Sequence, residues 1–512
     1  MKGKMAACFL IPFLLIWALP VQGMEREERL WQDEMVYSIM IDRFNNSSKD
    51  TAGINAKDPL AYNGGDFQGI IDRLGYIKDM GFTAIMLSPI FDNVENGYHG
   101  YWVDDYFKTE EHFGSVKKFK ELVSEAHSLD MKVIIDFPAN NVGKNSKLVQ
   151  EKGQDWFHAE QEAGSDGSRQ QQLNGWQDGL PDLAHENPDV QAYLIDAGKW
   201  WISETDIDGY RLSSADKVPA DFWSEFSKAV KTEKENVYLI ADFGTSDSEL
   251  LKEYRNAGFN GYYDYTSFNE IRKAFSQPDG DLGGIFTKWE KAQGNSDNPY
   301  ETGTFMDHQD TVRFTREIIS NNIFPGTPWK QALTYMYTTP GIPIVYYGSE
   351  IALDGGEAPD NRKLMNFRSD KELIDHIGKL SDLRQMLPSL TRGTMEKLYE
   401  QDGIAVFKRV FEDETTIIAI NNSSKTREIK LSPDQVKSEG MELRGLLKGD
   451  ESEGSDEGYT LILDREESEV YALSEKQGLN LALMGSVALV WIGFAVFLII
   501  LAKRSRKKIN QE

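Results

Sequence analysis

Residues 132–141 read Lys132-Val-Ile-Ile-Asp136-Phe-Pro-Ala-Asn-Asn141. A short β-branched run closes on an acidic residue and gives way to proline and amides, the profile of a buried strand entering a loop. Upstream, Lys118–Leu129 has the apolar stripe of a helix and Thr83–Leu87 reads as another strand. A helix over Ile70–Met80 and a first strand over Met35–Ile41 come before them. Strand and helix in alternation predict βα units around a parallel sheet. Downstream the rhythm breaks, because Phe137 to Asn187 is polar and rich in Gly, Gln, Asn and Asp. About 50 residues between a strand and its helix exceed an ordinary connection and mark a functional excursion.

The alternation then resumes. Helices are predicted over Val190–Ser203, Ala220–Lys231, Ser248–Asn256 and Trp329–Thr338, and strands over Gly209–Leu212, Val237–Ile240, Gly303–Met306 and Ile342–Tyr346. With a weak strand near Phe259–Tyr262 this makes eight, the count of an α/β (β/α)8 TIM barrel, whose chemistry sits at the C-terminal strand ends. From about Thr394 short alternating strands replace helices, predicting a separate antiparallel β domain. The expected organisation is a barrel over 24–393 (domain A) with an inserted domain B at about 138–187, and a β domain C over 394–475.

The two ends add expectations of their own. Lys2 and Lys4 precede the apolar run Met5–Leu19, with small residues near 21–23, the layout of a signal peptide over 1–23. Residues 479–502 lack charge and are followed by Lys503-Arg504-Ser505-Arg506-Lys507-Lys508. That pattern predicts one C-terminal transmembrane helix with a cytoplasmic basic tail at 503–512. The expected location is therefore the cell membrane, single-pass, with the ectodomain outside. Net charge is −26, and it reaches −32 once Lys2, Lys4 and the tail (five basic residues, one acidic) are set aside. Such acidity argues against nucleic acid as a partner and suits a neutral substrate or a cation. The one cysteine, Cys8, lies in the leader, so the remainder has no disulfide and depends on core burial.

Seven segments fall at the expected strand ends: Asn96-Gly-Tyr-His-Gly-Tyr-Trp102, Asp136-Phe-Pro-Ala-Asn-Asn141, Leu180-Pro-Asp-Leu183, Gly209-Tyr-Arg-Leu-Ser213, Leu239-Ile-Ala-Asp242, Phe305-Met-Asp-His-Gln-Asp310 and Gly341-Ile-Pro-Ile-Val-Tyr-Tyr-Gly-Ser-Glu350. In this order and spacing they resemble the signature regions of the α-amylase family, glycoside hydrolase family 13, over roughly residues 33–475. The resemblance implies cleavage of α-1,4-glucosidic bonds with retention, which needs a carboxylate nucleophile and a carboxylic acid about 5–5.5 Å apart. Matched by position, the nucleophile place holds Ser213, the acid place Asp242 and the third carboxylate place Asp310. Ser213 is not competent as an anion near neutral pH, and Asp242 is one methylene shorter than the family's Glu. Asp216 is the nearest substitute carboxylate in sequence.

The same resemblance implies substrate contacts from His99, Tyr101, Arg211, Asn141, Gln309 and Arg313, with Arg211 expected to pair with Asp310 in the absence of a nucleophile carboxylate. It implies a structural Ca²⁺ held by Asn140, Asp182 and the backbone carbonyl of Lys217, hard oxygen donors that would pin the inserted domain. Three functions follow as expectations. The first is a surface protein directed at α-1,4-glucans such as starch and maltodextrin, with hydrolysis lost or weak. The second is an active retaining amylase with a rearranged site. The third is a membrane scaffold for a partner protein.

Overall fold

The computed structural model describes residues 29–47, 54–161, 168–243, 247–286, 299–436, 441–449, 451–453, 458–475, 489, 491–494 and 496–499. The expected strand Lys132–Asp136 is real and slightly longer, Lys132–Pro138, with only its first residue reaching solvent. The helix before it, Val116–Ser128, starts where the Ser115 side chain accepts from Lys118 N, satisfying an otherwise orphaned amide. It buries Phe119, Leu122, Val123 and Ala126, the i, i+3, i+4, i+7 face that covers the sheet.

Eight parallel strands form the barrel: β1 Val36–Ile39, β2 Ala84–Leu87, β3 Lys132–Pro138, β4 Gly209–Ser213, β5 Tyr238–Ala241, β6 Gly261–Tyr262, β7 Gly303–Phe305 and β8 Ile342–Tyr346. Their hydrogen-bonded order is β6-β5-β4-β3-β2-β1-β8-β7, and a parallel bridge between Tyr263 and Gly303 draws the two edges together. Between β3 and β4 lies the polar excursion, tied to the barrel by antiparallel bridges Asn141–Asp182 and Phe157–Leu183. The helix Pro188–Thr205 then resumes the barrel, beginning with Pro at a position that has no intrahelical amide bond to lose.

Beyond the barrel, β9 Thr394–Gln401, β10 Ile404–Phe411, β11 Glu414–Asn421, β12 Arg427–Leu431, β13 Met441–Gly445, β14 Glu451–Glu453, β15 Tyr459–Leu463 and β16 Glu467–Glu475 make the β domain. Six of them pair in the order β9-β10-β11-β16-β13-β14, and β12 pairs with β15. The domain docks by burying Phe407 in the barrel's own core cluster, and Gln331 Nε2 donates to Asn421 O at 2.7 Å.

One part of the expected architecture is overturned. Among the described residues no helix is long and apolar enough to cross a membrane. Within 479–502 the described positions 489, 491–494 and 496–499 are helical and exposed. The transmembrane helix is therefore withdrawn, and with it the single-pass membrane location inferred from it. The expected leader at 1–23 and tail at 503–512 lie outside the described residues.

Candidate active site

The register of the sheet brings the chemistry together. Asp136 of β3 is the lateral neighbour of Arg211 on β4, and Pro138 the neighbour of Ser213. Because side chains alternate along a strand, Arg211 and Ser213 face the same way. Arg211 is 2% exposed. Its Nη1 donates to Asp136 Oδ2, and to Ser213 Oγ and the Tyr101 hydroxyl, each at 3.2 Å. Its Nη2 donates to Asp242 Oδ2 and lies 2.6 Å from His308 Nε2. One buried guanidinium thus collects groups from four strand ends, with the Tyr263 ring 5.2 Å from its centre. Ser213 donates to Asp136 Oδ1, and Tyr101 donates to Asp136 Oδ2 at 2.7 Å. The next residue, Ser214, has φ +48°, a left-handed backbone that costs a non-glycine residue about 1–3 kcal/mol and clusters at functional sites.

The electrostatics follow. Burial raises the Asp136 carboxyl above its ordinary value, and the opposing pull of Arg211 does not fully cancel it. At Asp242 burial also favours the neutral form, but the charges of Arg211 and His308 and a bond from Tyr265 reverse it. The carboxyl is held well below the usual range. Asp242 is therefore a fixed anion, the opposite of what a general acid requires. His99 accepts from Tyr101 N at 3.1 Å; burial, helped by the Arg362 charge, pushes its pKa down to about 3, so it is neutral.

Other expected residues sit differently. Asp310 is not a partner of Arg211. Its side chain is 55% exposed and pairs with Arg362 at 2.8 Å, because Asp136 and Asp242 already occupy the guanidinium. Gln309 joins the cluster, its Nε2 donating to the Tyr101 hydroxyl at 3.0 Å. Arg313 lies beneath it, fully buried, donating to the Asn361 and Tyr347 carbonyls at 2.9 Å and packed 4.3 Å over the Tyr346 ring. Asp216 is buried in the turn after β4 and pairs with Lys217 at 3.2 Å, and its carbonyl accepts from Arg169. Asn141 pairs through its backbone with Asp182.

That same bridge sets Asn140 beside Asp182, with Leu183 N donating to Asn140 O at 2.9 Å. Both amide atoms of Asn140 and Oδ1 of Asp182 are buried without a hydrogen-bond partner, an arrangement costly unless something else binds there. Asp182 Oδ2 is engaged by His158 Nδ1 at 2.6 Å. Two unpaired hard oxygens suit a Ca²⁺ ion, and the Lys217 carbonyl, the third donor that the resemblance implies, lies on the turn Ala215–Lys217.

Five residues of the cluster are not site candidates in the sequence: Asp136, Tyr263, Tyr265, His308 and Arg362. Asp136 closes the decisive strand and was visible only as a strand end. The tyrosines follow the weakest strand, where no pattern pointed to the cavity.

The family description "Alpha amylase, catalytic domain" matches residues 38–387. The chain belongs to the α-amylase family. The family's "Alpha-amylase C-terminal domain" matches residues 393–471. Among related proteins, the Beta/alpha-amylase of Paenibacillus polymyxa is 31% identical over 86% of this chain, which spans only 38% of that protein. A cyclomaltodextrinase of Thermoanaerobacter pseudethanolicus is 31% identical over 81% of this chain and 75% of its own length. Among solved structures, an Anoxybacillus α-amylase has 52% identity and a TM-score of 0.86, covering 88% of this chain and 100% of that one. The α-amylase of Geobacillus thermoleovorans, solved with acarbose, has 49% identity and a TM-score of 0.85 with the same coverages. In this family member, then, serine stands where the resemblance places the nucleophile, and its hydroxyl is bonded to a neighbouring carboxylate.

Proposed function

We propose that this protein binds α-1,4-glucans at the barrel mouth and that its hydrolysis is lost or weak. One observation carries the reading: Ser213 supplies a hydroxyl committed to Asp136 where retaining cleavage needs an anion. Two others support it. Asp242 is held ionised by Arg211, so a departing sugar oxygen would leave unprotonated. Tyr101 and Gln309, which the resemblance assigns to substrate contacts, remain joined to Arg211 and Asp136 through the Tyr101 hydroxyl. Asp216 does not replace the nucleophile in this reading, since its carboxylate is paired with Lys217. Asn140, Asp182 and the Lys217 carbonyl would hold Ca²⁺, fixing the excursion to β3 and β4.

The test pairs maltopentaose binding by calorimetry with reducing-sugar release from soluble starch, using the purified chain with calcium. Binding without release is the expected result. Release at the 1–10³ s⁻¹ of ordinary enzymes, disappearing in Asp310→Asn, would overturn it and favour a rearranged active amylase.

A further inference from the structure

The excursion between β3 and β4 contains a concavity that shares no residue with the strand-end cluster. It is a cleft of about 570 Å³ walled by Phe157, Trp176 and Pro181, with Lys152, Gln154 and Glu160 exposed at its rim. That volume lies within the range of small-molecule sites, about 300–1,000 Å³. Local structure fixes the walls. Phe157 pairs with Leu183 in an antiparallel bridge, and its ring packs against the barrel core. Trp176 is pinned at two points. Its backbone amide donates to the Gln161 carbonyl at 2.8 Å, and its indole Nε1 donates to the His158 carbonyl at 3.0 Å. The ring is nonetheless only half-buried, and it belongs to none of the hydrophobic clusters that the described residues form. An indole carries a large apolar surface. Here hydrogen bonds hold it still while the core leaves that surface uncommitted, on the wall of a cleft.

The charges around the cleft narrow the ligand. Lys152 and Glu160 supply one of each sign. His158, on the same wall, has its ring nitrogens turned to carboxylates, Asp182 at 2.6 Å and Glu186 at 3.0 Å. Although the chain carries −26, this balance selects neither a cation nor an anion. The cleft offers apolar ring surface within a border of hydrogen-bonding groups. A glucose ring is its complement, with C–H bonds on its faces and hydroxyls around its edge. We propose that this cleft is a second α-glucan site, where glucose rings stack on Trp176 and their hydroxyls bond to Gln154, Lys152 and Glu160. The inference rests on the reading of α-glucan as the ligand, but not on the barrel mouth as the place that binds it. Two sites on one chain tighten its hold on a long glucan, because the second contact is made at the high effective concentration set by the first.

The experiment titrates maltoheptaose into the whole purified chain with calcium, by calorimetry, for the parent and for Trp176→Ala. Expected are two equivalents bound by the parent and one by the variant, the excursion site weakening at least about 10-fold, as when an aromatic anchor is truncated. The variant also loses the indole's bond to His158, so hydrogen exchange of the parent supplies a reading that needs no substitution. Residues 149–160 and 176–181 are expected to exchange more slowly with maltoheptaose bound. An unchanged number of equivalents in folded Trp176→Ala, or unchanged exchange in those segments, overturns the inference. A single equivalent that survives Trp176→Ala leaves the mouth reading standing alone. A single equivalent that Trp176→Ala abolishes keeps the excursion site and overturns the mouth. Absence of binding overturns both.

Discussion

Replacing Arg211 by methionine tests the electrostatic core of the site without any assumption about substrate. The change keeps an apolar stem but removes the cation that joins Asp136, Asp242, Ser213 and Tyr101. Both carboxylates are at least 88% covered, and breaking a buried pair by deleting one partner costs about 3–5 kcal/mol. Neutralisation sets a ceiling on that cost. A carboxyl of ordinary value 3.8 costs about 1.4 kcal/mol to protonate for each pH unit above it. Escape by protonation therefore costs about 5 kcal/mol per group at pH 7.5 and under about 2 kcal/mol at pH 5. The sign follows from the intact protein. Asp242 has a depressed folded value, so its contribution to stability is present above the unfolded value and is lost as pH falls through the folded one. In the variant the shift is upward, and acid relieves the strain. Denaturant midpoints of parent and Arg211→Met at pH 7.5 and pH 5 are expected to differ most at pH 7.5, with the gap at least halved at pH 5. A gap that stays constant between the two pH values would refute the idea that Arg211 compensates buried carboxylates.

Restoring the family's residues with Ser213→Asp and Asp242→Glu together is expected to raise starch hydrolysis by at least about 100-fold, the cost of a misplaced reacting group. A folded double variant that binds maltopentaose but releases no sugar would show that other changes silence the site. Chelation of calcium is expected to lower the melting temperature, since a ligand at 100 times its Kd stabilises by about 2.7 kcal/mol. Asp182→Asn is expected to abolish that response, and an equal response in the variant would move the ion elsewhere. Asp310→Asn is expected to cost under about 1 kcal/mol in chemical denaturation, because its pair with Arg362 is half in water. A loss of several kcal/mol would mean that Asp310 is coupled to the core.

The barrel was legible because its signals are local. Strands such as Lys132–Pro138 alternate with helices such as Val116–Ser128, whose apolar spacing and serine cap are written within a few residues. Ser213, Asp242 and Gln309 were found by position in strand-end segments. The transmembrane expectation failed because an apolar run states only what a segment could do, and among the described residues no helix is long and apolar enough to cross a membrane.

By itself the sequence determined the element order and the strand-end positions, properties of residue type and spacing, and that a serine stands at position 213, where the family resemblance expects a carboxylate. Only the tertiary structure decided which carboxylate Arg211 takes. Lateral register sets Asp136 against Arg211 and places Asp242 on its other nitrogen, while Asp310 turns to Arg362 at the surface. A guanidinium has a fixed number of donors, and in a water-poor barrel mouth the carboxylates nearest in space occupy them. Distance along the chain carries no information about that competition.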